Sequence, residues 1–412
     1  MRGGHRPRWA VYRVCMPYDI ASVRGLFPTL GDGWIHFDAQ AGLQIPDAVA
    51  SALSAGLRVL PVDPRGVYPQ AVAVAEARQT ARRAVADLLD ASPDGVVFGP
   101  SRSALVTALV DALPVTAWTG EVICSRLDDE ENIVPWLRGA RRHGARVRWA
   151  ELDVTDGTLP VWQYGDLVNG GTRVIAVSLA SSVTGAIVDV GQIADHARSV
   201  GALLVVDASS AAPYVRMSVA EIGADVVLVS PERWGGPRMA AMVFADPGRI
   251  ADLQRVSMDP STTGPARLEP EPLAGPLLTG LVASVEHLAN LDQAATGKRR
   301  QRLTTSLDSA FEYAQRLTLY LVNSLAQLGR VRVIGEEVHR IPAVSFVVDG
   351  VPAEKVCRRL ADNGISALCD VPSRALAHIG VNDVGGAVTV GLGPYALPYE
   401  VDQLARVLGS FG

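Results

Sequence analysis

Between residues 96 and 244 the chain repeatedly sets a short, β-branched apolar run ahead of a turn and an amphipathic stretch. Val96–Phe98, Glu121–Ser125, Ala145–Ala150, Arg173–Leu179, Ala202–Asp207, Asp225–Ser230 and Met239–Phe244 read as strands. The stretch from about Arg102, the one ending near His143 and Val190–Val200 read as helices. Runs that are apolar on both faces need cover on both faces. In a chain alternating strand and helix, that requirement predicts a mostly parallel sheet with helices on either side. Gly and Pro punctuate the joins at Gly185, Gly201, Gly223 and Gly235-Gly236-Pro237.

The pattern changes after residue 260. Thr262–Pro276, rich in Pro and Gly, reads as a loop, and Leu277–Leu291 and Arg300–Leu328 read as long helices. Then come strand Ala343–Val348, helix Ala353–Asn363, strands Ile365–Cys369 and Ala387–Leu392, and helix Glu400–Leu408, a second and smaller α+β unit. The expected division is a basic, disordered extension over residues 1–15, a large α/β domain over 16–285 whose opening stretch packs on the small domain, and a C-terminal domain over 286–412. The extension carries Arg2, His5, Arg6, Arg8 and Arg13 with no apolar stretch behind it, so it does not read as a signal peptide.

Composition narrows the function. A net charge of -5 without a basic block argues against nucleic-acid binding. The richest apolar run, Val174 to Val190, is broken by Ser178, Ser181, Ser182, Thr184 and Asp189, so no membrane span is expected. Cys15, Cys124, Cys357 and Cys369 form no CxxC pair and read as reduced thiols of a cytoplasmic protein. The histidines have no metal-ligand spacing. Only Lys298 and Lys355 are lysines, against 36 arginines, which leaves few candidates for any chemistry that needs an amine.

Parallel strands ending in small polar residues place a ligand crevice at their carboxyl ends. Phe98-Gly99-Pro100-Ser101-Arg102-Ser103 enters a helix whose free N–H groups suit a phosphate. Asp207 closes an apolar strand where a carboxylate can meet a positive ring nitrogen. Ser230-Pro231-Glu232-Arg233-Trp234-Gly235-Gly236-Pro237 follows the next strand and must turn sharply.

In this order and spacing, these segments resemble the class V aminotransferase and cysteine desulfurase family, the fold-type I enzymes that use pyridoxal phosphate. The resemblance extends over Val23-Arg24-Gly25-Leu26-Phe27-Pro28, Phe37-Asp38-Ala39-Gln40-Ala41, Asn132-Ile133-Val134-Pro135-Trp136, Ser181-Ser182-Val183-Thr184-Gly185 and Asp207-Ala208-Ser209-Ser210. It implies a seven-stranded, mostly parallel sheet covered by helices, a smaller C-terminal domain, a homodimer and pyridoxal phosphate as cofactor.

It also implies departures at the functional positions. Arg233 falls at the family's Schiff-base lysine, and a guanidinium stays protonated and is a poor nucleophile. Asp129 falls at the ring-stacking histidine, Ser182 at an asparagine, Ser210 at a glutamine and Thr389 at the substrate-binding arginine. The family's nucleophilic cysteine falls near Ser373, with Cys369 earlier, read as a buried thiol. The resulting candidate pocket comprises Ser101, Arg102, Ser103, Asp129, Ser182, Asp207, Ser210, Ser230, Glu232 and Arg233, with no catalytic residue expected. Arg102 and Arg233 offer a small anionic ligand two cations, unless Glu232 and Asp129 pair with them and close the crevice. The reading favoured is a divergent homodimeric binding protein without lysine-dependent catalysis. The alternative is an enzyme that holds pyridoxal phosphate non-covalently through Asp207, Ser103 and the helix N-terminus. An active desulfurase or transaminase is the third.

Overall fold

A computed structural model describes residues 18–59, 66–335 and 340–411. The extension expected at 1–15 lies outside them. In chain order the strands are β1 (Ile35–His36), β2 (Val96–Gly99), β3 (Glu121–Ser125), β4 (Arg146–Ala150), β5 (Thr172–Ser178), β6 (Leu203–Asp207), β7 (Val226–Val229), β8 (Ala240–Phe244), β9 (Val331–Ile334), β10 (Ala343–Val348), β11 (Ile365–Ser366), β12 (Leu368–Cys369) and β13 (Val388–Gly391).

The seven-stranded sheet runs β2-β8-β7-β6-β5-β3-β4, and within it only β8 is antiparallel to its neighbours. Side chains alternate across a pleat, so each central strand feeds two cores. Val206, Val227, Val229 and Ala241 enter one core, while Val205, Val226, Leu228 and Met242 enter the other. This is why these strands read as unbroken apolar runs. The order of strands reverses between β3 and β5, since β3 leads outward to β4 and the chain then returns to β5, β6 and β7. Such a reversal opens a crevice between the carboxyl ends. Ser125, Ser178 and Asp207 end three of these strands there.

The C-terminal strands form a four-stranded antiparallel sheet, β12-β13-β10-β9. β9 was not expected: Val331–Ile334 follows the helix Arg299–Ala326 after a turn too short to set a separate apolar run apart. The single strand expected over Ile365–Cys369 is two strands in different sheets. Ile365 and Ser366 pair in parallel with Ile35 and His36, whereas Leu368 and Cys369 pair with Thr389 and Val388. No described helix is long and apolar enough to cross a membrane.

Leu228 is fully buried at the centre of the large sheet. Leu228→Ala is expected to destabilise the fold by about 2–5 kcal/mol. The check is a lowered denaturation midpoint at an unchanged denaturant slope.

Candidate functional site

The crevice is built by five loops, each leaving a strand or entering a helix. Ser101 caps the helix Arg102–Ala112 with its hydroxyl, accepting from the Ala104 N–H at 3.2 Å, and lies 3.1 Å from the Ser103 hydroxyl. Arg102 is therefore the first helical residue, and its long side chain runs under the carboxyl edge, only 5% exposed. Its Nη1 reaches Asp207 Oδ2 at 2.6 Å and Asp129 Oδ2 at 3.2 Å, and its Nη2 pairs with Glu131.

Asp207 ends β6, and its second oxygen accepts from the Ser209 N–H at 2.9 Å. Asp129 stands at the N-cap of the helix Glu130–His143. It accepts from Ser182 Oγ at 2.7 Å and lies 3.6 Å from Arg233 Nη2. Arg233 also donates to the backbone carbonyl of Gln40. The loop carrying Arg233 reverses at Gly235 (φ 83°), where any Cβ would sit 2.7 Å from the Gln44 carbonyl oxygen.

These contacts set the charges. Burial works against the Arg102 cation, but Asp207, Asp129 and Glu131 outweigh it and raise its pKa. Burial likewise opposes the Asp129 anion, yet Arg102 and Arg233 hold it below the usual carboxylate range. Two guanidiniums thus face three carboxylates, so neither cation is left over for an anionic ligand.

The pairing expected of Asp129 is present, and that expected of Glu232 is not. Glu232 Oε2 is buried without a partner, and burial raises its pKa. Glu131, unnoticed in the sequence, supplies the third carboxylate. Its signal was its place in the first turn of a helix, where acids favour the dipole and seldom mark a site. Ser230 and Ser210 are buried, and Ser230 Oγ has no partner. Ser103, Glu131, Val134 and Pro135 open beside Arg102 onto a groove of about 520 Å³.

Cys369 is exposed at the end of the edge strand β12, where it had read as a buried thiol. Ser373 instead caps the helix Arg374–Ile379. Thr389 is buried and shares a 2.7 Å hydrogen bond with Ser345.

These residues do not fit pyridoxal phosphate. The loop after β7 holds no amine, and Lys298 and Lys355 are exposed elsewhere. The Asp207 oxygen that would face a ring nitrogen is held by Arg102, and Asp129 has no aromatic face to stack on a ring.

A family model described as aminotransferase class-V matches residues 35–311. Over 398 residues the chain is 50% identical to "Uncharacterized protein MT3887" of Mycobacterium tuberculosis, covering 96% of this chain and 100% of that one. It is 27% identical over 379 residues to a probable cysteine desulfurase of Streptomyces coelicolor, covering 84% and 86% of the two. Among solved structures, the cysteine desulfurase CsdA of Escherichia coli superposes with a TM-score of 0.80 at 21% identity, over 95% of this chain and 98% of that one.

Asp128, beside the network, is buried and accepts from the Ser178 N–H at 2.8 Å and from Asn132 Nδ2 at 2.9 Å. Burial, more than the nearby Asp207, lifts its pKa from 3.8 to about 8. The folded state therefore keeps this proton across the interval from about pH 4 to pH 8, while the unfolded chain releases it, so stability falls as pH rises through that window. Asp128→Asn can keep the Ser178 bond and, with Asn132 turned over, donate to the otherwise unpartnered Asn132 Oδ1. Its stability relative to the parent chain is expected to increase from pH 4 to pH 8. Denaturation midpoints that stay parallel across this range would refute the assignment.

Proposed function

Since the chain belongs to the class V aminotransferase family, we propose that it is a member that has given up lysine-dependent pyridoxal phosphate chemistry and works as a homodimeric binding protein. The observation that carries this reading is the 2.6 Å ion pair between Arg102 and Asp207. The family normally uses pyridoxal phosphate. In this chain Arg233 takes the place of the lysine, and Arg102 takes the carboxylate that a cofactor ring would need.

Magnitudes support the exclusion. Asp207 and Arg102 are 3% and 5% exposed, and breaking a buried pair by withdrawing one partner costs about 3–5 kcal/mol. At about 1.4 kcal/mol per tenfold, a ring displacing Arg102 would bind about 10²–10⁴ times more weakly than at a free carboxylate. The lost amine adds to that, because a guanidinium neither forms the covalent link nor shuttles a proton near neutral pH. In the network that closes the site, each guanidinium is matched by carboxylates without a cofactor.

Titrating the purified protein with pyridoxal phosphate is expected to give no visible band and no adduct after borohydride reduction. Arg233→Lys alone is expected to stay colourless because Arg102 still occupies Asp207. Arg233→Lys combined with Arg102→Thr is expected to gain a reducible, coloured adduct. A coloured adduct in the parent chain would overturn the proposal. Reversible, uncoloured binding there would favour the non-covalent reading through Asp207, Ser103 and the helix N-terminus.

The dimer rests on family likeness, with Leu57, Val59, Val67, Tyr68 and Val72 as exposed apolar side chains that an interface would cover. Sedimentation at micromolar concentration is expected to return the mass of two chains, and a monomer would count against an intersubunit role.

A further inference from the structure

Two thiols meet at the edge of the four-stranded sheet. Cys357 lies within the helix Ala353–Ala361, half-buried against the C-terminal core. Cys369 ends the edge strand β12 and is exposed. That helix packs on β12, which makes Cys357 and Cys369 neighbours. Both positions are held by the fold. Val356 and Leu360, on either side of Cys357, are fully buried, and Cys369 is paired with the buried Val388. The chain turns at Gly364 (φ 72°) between the two cysteines and again at Asp370 (φ 44°) directly after Cys369.

We propose that Cys357 and Cys369 are a peroxide-oxidisable pair that closes reversibly to an intramolecular disulfide. The exposed Cys369 attacks first, as a thiolate. Its sulfur bonds to one oxygen of hydrogen peroxide, the O–O bond breaks, and hydroxide leaves and takes up a proton as water. The Cys357 sulfur then attacks the Cys369 sulfenic sulfur. An S–S bond forms, the S–O bond breaks, and the Cys357 proton departs with the oxygen as a second water. Two thiols and one peroxide thus give one disulfide and two waters, the two electrons passing from sulfur to the peroxide oxygens. This order follows from the surroundings, since burial and the neighbouring Cys369 push the Cys357 thiol up to about 12 and keep it protonated.

The pair is connected to the crevice. Beyond Cys369 the chain runs to Arg374, which pairs with Glu130 at 2.9 Å and lies over the Trp149 ring. Glu130 opens the helix capped by Asp129. Closing the disulfide fixes one end of a segment whose other end grips that helix.

The test uses the reduced full-length protein, treated with hydrogen peroxide, alkylated, denatured and assayed for thiols and cross-linked peptides. The expected result is a loss of two thiols per chain, a linked peptide carrying both residues, and full recovery with dithiothreitol. Cys357→Ser and Cys369→Ser are each expected to abolish the linked peptide. Oxidation of Cys369 to sulfinic acid with Cys357 still alkylatable, or a disulfide between two chains or to Cys15 or Cys124, would overturn the proposal.

Discussion

A carboxylate at the end of a strand covered on both faces by apolar side chains cannot remain charged without a partner. Asp207 is such a group, reached by the Arg102 guanidinium at 2.6 Å and 3% exposed. The rest of the crevice follows from this pair. Arg102 in turn draws in Asp129 and Glu131, Asp129 draws in Ser182 and Arg233, and Arg233 is tied to the Gln40 carbonyl. Segments far apart in sequence are held together by one compensated network. In a cofactor enzyme, part of that compensation would come from the bound ring.

The same inward settlement recurs elsewhere in the fold. The segment Arg267–Pro272 is one case. Its Glu269 is buried, accepting from Arg78 at 2.7 Å, Arg82 at 3.0 Å and the Phe98 backbone N–H at 3.1 Å. Thr389 is likewise satisfied by Ser345. A buried polar residue is retained here where the protein itself supplies its partner.

Much of this was legible beforehand because its physical causes are local. The strands β2 to β8 declare themselves by unbroken β-branched runs, and the crevice by the polar residues that end them. What escaped depends on distance through space. The split at Ala367 between β11 and β12 cannot be read from Ile365–Cys369 alone, since the first half is claimed by Ile35 and the second by Val388. The raised pKa of Asp128 comes from burial, and Glu232 Oε2 is buried without a partner. Neither leaves a mark on residue type. The expected anion site illustrates the limit most sharply. Two arginines in a predicted crevice suggest free positive charge, and only the fold places three carboxylates against them.

The antiparallel strand β8 has a consequence for how the chain is made. It separates β2 from the rest of the large sheet, so among the described residues the only strand partner of Val96–Gly99 is Ala240–Phe244. On a chain synthesised from its N-terminus, β2 emerges as a wholly apolar strand and waits for well over a hundred residues before its partner exists. Strand edges left open in this way are where nascent chains pair wrongly or recruit chaperones. The helix Arg102–Ala112, which carries Arg102 and follows β2 directly, packs chiefly on the helix Glu130–His143 and can settle on it before β8 is made. The ion network of the crevice cannot be complete until Arg233, in the loop just before β8, has been made.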